Sequence, residues 1–199
     1  MLASITPLGE RGRSSRWHVT VAFFVAGSTI SAAALGLVAG ALGSLTWPGQ
    51  SGSAHMRLGV LAVALAASIL LDLGVGGVRP PSVRRQVNEK WLDEYRGWVY
   101  GLGFGVQLGL GVTTIVTTSA VYVTLAAAWL TGDPALGALV AGTFGFLRGA
   151  SVLAGARVRS TAQLVALHAA LGAWRSRVRN LGLGAQAGLL AVALLASVG

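Results

Sequence analysis

Long apolar runs alternate with short basic ones along the whole chain. Residues 1–18 are polar and carry Arg11, Arg13 and Arg16, and VTVAFFVAGSTISAAALGLVAGALGSL (19–45) follows without one charge. A hydrocarbon core about 30 Å thick is crossed by about 20 apolar residues, so this run predicts a first membrane span. Its 27 residues exceed the apolar core of a signal peptide, which predicts a retained span. TWPGQSGSAHM (46–56) reads as a loop, and a second span over 58–78 stops at Arg79-Pro80-Pro81. A third, unusually long span covers 97–130. Thr131-Gly132-Asp133-Pro134 is a turn in which Pro134 can open the next helix. A fourth span covers 135–156 and a last one 181–198.

Two further segments carry apolar stripes at three-and-four spacing. Val87, Trp91, Tyr95 and Trp98 mark one over 84–96, and Leu164, Leu167, Leu171, Trp174 and Val178 mark the other over 160–178. Both are expected as helices lying in the cytoplasmic interface. Residues 160–174 could instead form a sixth span. Only 15 residues separate Arg159 from Arg175, however, and crossing there would carry Arg175, Arg177 and Arg179 outside. The expectation is therefore an all-α, polytopic transmembrane helix bundle of about five spans plus one or two interfacial helices, with 1–199 forming a single membrane domain.

Composition supports this reading. The chain is 54% hydrophobic and 11% charged, where a soluble domain carries about a quarter charged residues. The net charge of +9 flanks the spans, which predicts contact with anionic lipid headgroups and no nucleic-acid binding. Thirteen of the 15 basic residues fall in the N-terminal tail, 79–96 and 157–179, which lie on one side of the alternating topology; Arg57 alone lies opposite. The positive-inside rule then places the N-terminus in the cytoplasm and the C-terminus outside. With its Arg, Ala and Gly bias, the chain is expected in a bacterial plasma membrane. There is no cysteine, so disulfide, thiol and thiolate-metal chemistry are excluded.

Small residues recur every fourth position: Ser28, Ala32, Gly36, Gly40 and Ser44 in the first span, and Gly97, Gly101, Gly105 and Gly109 in the third. In lipid such ridges let helix backbones approach closely, so they predict packing surfaces. Spans one and two, then three and four, read as one unit used twice in the same direction.

Asp72 and Arg148 are the charged side chains well inside the spans, about 10 and 13 Å from their cytoplasmic ends at 1.5 Å per residue. A charge in hydrocarbon requires a partner or water, and these depths suggest an intramembrane charge pair or a solute site. Thr113, Thr114, Thr117, Thr118, Ser119 and Tyr122, with Gln107 and the patch Ser28, Thr29 and Ser31, are candidates to line a polar path; hydroxyls can equally bond back to their own helix. His18, His55 and His168 are too scattered for a metal site, and GLGFG (101–105) follows no strand and is no dinucleotide fingerprint. No catalytic constellation can be assembled in the membrane, and no enzyme activity, metal or cofactor is expected.

GWVYGLGFGVQLGLGVTTIVTTSAVYVTLAAAWL, with the turn and glycine-rich helix after it (97–156), resembles half of the CcdA and DsbD membrane domain, a family grouped with LysE-type exporters. The resemblance implies long helices with a glycine-rich approach to a polar break. That family passes electrons through a membrane cysteine pair with nearby prolines. Here the corresponding stretch runs from Thr113 to Ser119, so no functional residue carries over, and five spans differ from the family's six. The functional expectation is a small permease or exporter-like protein for a small solute or ion; the alternative is a non-catalytic subunit or assembly factor of a larger membrane complex. Possible partners are a second copy or a membrane complex.

Overall fold

The computed structural model describes residues 5–13, 15–47, 54–77, 94–111 and 119–198. These form seven α-helices: α1 (Pro7–Gly12), α2 (Trp17–Thr46), α3 (Ala54–Leu73), α4 (Gly97–Leu110), α5 (Ala120–Leu130), α6 (Pro134–Ala150) and α7 (Thr161–Val198). Short 3-10 turns follow α3 and α6. The protein is all-α, and four helical stretches are long and apolar enough to cross a membrane: Trp17–Thr46, Ala54–Leu73, Pro134–Gly155 and Thr161–Ser197.

Helix α2 is the axis of the bundle, packed against α4, α5 and α6. Its contacts are made backbone to backbone through glycine. A Cβ on Gly101 would lie 2.6 Å from the Thr20 carbonyl oxygen, and one on Gly105 or Gly109 would strike those of Phe24 and Ser28. Helices α2 and α4 therefore run parallel, in register by fours. Further along α2, Gly137 packs on Gly36 and Gly145 on Ser28, so α6 runs antiparallel to α2. The sequence ridges are these contact lines, with one shift: Gly43, not Ser44, is buried at the far end, where its Cβ would strike the Trp129 carbonyl oxygen. A step of four residues overshoots a 3.6-residue turn by about 40°, so a strict four-step ridge rotates off the contact line within a few turns.

Two expected elements differ. The expected span over 97–130 is interrupted. Helix α4 ends at Leu110 because Gly111 takes φ 63°, a conformation L side chains rarely adopt, and α5 begins only at Ala120. Conversely, the expected interfacial helix over 160–178 and the last span over 181–198 are one unbroken helix, α7. Arg179, Asn180 and Gly182 do not end it, since no proline intervenes and glycine costs a helix only about 1 kcal/mol. The other expected interfacial segment, 84–96, lies mostly outside the described residues.

Helix α7 packs on α3 through Leu183, Gln186, Leu190, Ala193 and Ser197, the less exposed residues of its last four turns, at alternating spacings of three and four. The α3–α7 pair joins the core through α5. At one end Arg57 donates to the carbonyl oxygens of Trp47 (3.2 Å) and Thr131 (3.4 Å), so α3 and α6 start on the same side. At the other, residues 5–13 form a strap. Ile5 is buried with Val21, Phe24, Tyr100, Phe104 and Val152, and the Leu8 N–H donates to the Val158 carbonyl.

A candidate site at a broken helix

Breaking a helix inside a membrane frees carbonyl groups at one end and N–H groups at the other, where no water can satisfy them. The two intramembrane charges sit at these two ends. The Arg148 guanidinium donates to the Leu108 carbonyl oxygen at 3.3 Å, at the C-terminus of α4. The Asp72 carboxylate accepts from the Ser119 backbone N–H at 2.8 Å, at the N-terminus of α5. Each charge faces the helix end whose partial charge opposes its own: cation at carbonyls, anion at amides.

This geometry replaces the expected ion pair. Among the described residues the ion pair within 4.0 Å is Glu10 with Arg13 (3.9 Å), and none joins Asp72 to Arg148. The reason lies in the interruption of 97–130, which supplies each charge with backbone partners on opposite sides of the gap. Gly109 packs at Ser28 and the Trp129 carbonyl at Gly43, so the break lies near the middle of α2, and Asp72 and Arg148 lie there with it.

A polar network surrounds Asp72. The Ser68 and Ser119 hydroxyls are 2.7 Å apart, Ser119 also donates to the Ser68 carbonyl, and Ser68 to the Gln186 side-chain oxygen at 3.0 Å. The Gln186 amide completes the ring by donating to Asp72 at 3.3 Å. Three helices, α3, α5 and α7, are thus tied at one depth. Ser119 was an expected site residue; Ser68 and Gln186 were not. Gln186 is the lone polar side chain in the apolar run 181–196, and that isolation is the signal that could have marked it.

The remaining candidates are dispersed. Ser28 donates to the Gly145 carbonyl at 2.8 Å and Ser31 to those of Gly27 (2.7 Å) and Val106 (3.2 Å), while Thr29 bonds back to Val25 at 2.8 Å. These hydroxyls fasten α2 to itself and to its neighbours. Gln107 and Tyr122 are half-buried on α4 and α5. Thr113, Thr114, Thr117 and Thr118 lie outside the described residues. Beside the break, Ala32, Gly109, Val121, Thr124, Ala141 and Phe144 line an apolar cleft of about 10 Å³, room for no more than about one water.

A fully buried carboxylate was not anticipated. Glu10, 1% exposed, accepts hydrogen bonds from the Tyr100 hydroxyl (2.5 Å) and the Thr20 hydroxyl (2.8 Å), pinning the strap to α2 and α4. Among the described residues no group of three or more His, Cys, Asp or Glu side chains could hold a metal ion.

No protein-family model and no solved structure matches the chain. Over 138 residues it is 35% identical to the methylamine utilization protein MauF of Paracoccus versutus, a stretch covering 67% of this chain and 50% of that protein. The chain thus spans about half the length of the curated relative it matches.

Proposed function

We propose that this chain is a membrane-embedded accessory protein, a subunit or assembly factor that acts through a partner polypeptide and serves a process such as methylamine utilization. The similarity to MauF carries the reading. The way the polar side chains are used supports it: Asp72 and Arg148 cap a broken helix, and Ser28 and Ser31 close helix contacts. Gentle extraction from native membranes followed by mass spectrometry should recover a second, stoichiometric polypeptide. Deletion of the gene should impair growth on methylamine and spare growth on other carbon sources. A chain that purifies alone and whose deletion leaves methylamine growth unchanged would end this reading.

A second reading is a carrier for a small solute or ion, and the broken helix favours it. Discontinuous helices near the bilayer midplane present free backbone groups to ligands in many transporters, and a polar break is what the resemblance to the CcdA and DsbD domain implies. Flux of a solute through proteoliposomes containing the chain alone would favour the carrier over the accessory protein.

A further inference from the structure

Among the described residues, none packs against the turn Trp174–Arg179 of α7. Every residue from His168 to Gly182 is exposed, so for about four turns no described residue packs against this helix. The charges on this stretch are placed unfavourably. Arg175 and Arg179 stand one turn apart on the same face, where like charges repel. Arg177 lies over the Trp174 ring at 5.7 Å, and no Asp or Glu occurs anywhere after Asp133. A second copy of the same arginine-rich face would add repulsion. The surface calls for anions.

Depth identifies the source. Gln186 bonds at the level of the helix break, near the middle of α2. Arg179 and Arg175 lie seven and eleven residues earlier along α7, about 10 and 16 Å away, and half a hydrocarbon core is about 15 Å. Trp174 precedes Gln186 by 12 residues, and the exposed Trp98 precedes Gly111 by 13, so both rings stand at the same distance from the break. Tryptophan at that depth marks a headgroup boundary. Arg16 and Arg96, the N-caps of α2 and α4, occupy the same end of the bundle.

We propose that the Trp174–Arg179 turn docks the phosphate headgroups of anionic lipids, and that these lipids hold the middle of α7 helical and seated beside α3. The phosphates bridge Arg175 and Arg179 and remove the repulsion that the bare helix carries. This is independent of whether the chain is an accessory protein or a carrier.

The test is amide hydrogen exchange of residues 168–182 in nanodiscs of phosphatidylcholine, with and without a share of phosphatidylglycerol. With phosphatidylglycerol, exchange in this stretch should slow about tenfold, while exchange in α2 stays the same. Replacing Arg175, Arg177 and Arg179 by glutamine should abolish the difference, and replacing all three by lysine should retain most of it. The comparison of lipids on the unmodified chain stands even if the glutamine variant does not fold. Equal exchange in both lipids would overturn the proposal. So would equal protection by inorganic phosphate added to phosphatidylcholine discs, which would make the site one for free anions.

Discussion

Arg148 and Asp72 stabilise opposite ends of the same interruption: one donates to the Leu108 carbonyl in the last turn of α4, the other accepts from the amide of Ser119, the N-cap of α5. An unsatisfied backbone group in hydrocarbon costs several kcal/mol, so these two side chains make the break tolerable in a membrane. Their charges are matched to the helix ends and not to each other.

The consequence is a specific pattern in a double-mutant cycle. Arg148→Gln and Asp72→Asn should each lower stability in detergent by about 1–3 kcal/mol through a weakened cap. With no direct pair to break, the double variant should be less stable than either single one. Thermal unfolding of all four proteins measures this. A double variant more stable than both singles would restore a buried ion pair.

Glycines on the α2 contact lines should not tolerate a methyl group. Gly105→Ala drives a Cβ into the Phe24 carbonyl oxygen and Gly36→Ala drives one into that of Gly137, so each should destabilise by about 1–3 kcal/mol. Gly184→Ala meets nothing within 4 Å and should gain up to about 1 kcal/mol from helix propensity. Melting temperatures in one detergent compare the three directly. Equal tolerance at all three positions would rule out the packing described for α2.

The strap depends on Glu10. Glu10→Ala removes the acceptor for Tyr100 and Thr20 and leaves their hydroxyls buried, at about 1–3 kcal/mol in all. Limited proteolysis should then cut within residues 5–13 faster than in the unmodified protein. Tyr100→Phe, which keeps the ring in the core, should loosen the strap less. Unchanged protease resistance in Glu10→Ala would show that Ile5 alone holds the strap.

Gln186 is the polar tether of α7. Gln186→Leu keeps the apolar contact with α3 but removes the hydrogen bonds to Ser68 and Asp72, and should cost about 1–3 kcal/mol. Faster hydrogen exchange in 183–197, with α2 unchanged, is the expected readout. Exchange that does not change would mean that the seam with α3 suffices.

What the sequence determined by itself was the class of protein and the ridges of its helices. Hydrophobic runs matched to a bilayer have few alternatives, because a backbone in lipid must satisfy itself within a helix or a closed barrel. Gly101, Gly105, Gly36 and Gly40 lie on packing lines because a period near that of the helix keeps small residues on one side. The charges Asp72 and Arg148 were legible as anomalies, since any charge in an apolar run demands a partner. Which partner each one found was decided by tertiary structure. That choice turned on Gly111, whose positive φ stops α4 in a stretch where composition reads as continuous span. The burial of Glu10 was equally hidden, because a glutamate in a polar, arginine-rich tail has the pattern of a solvated residue until Tyr100 and Thr20 are brought to it from other helices. Periodicity along a chain reports which residues share a face. It carries no record of which backbone groups, 40 or 100 residues away, that face will meet.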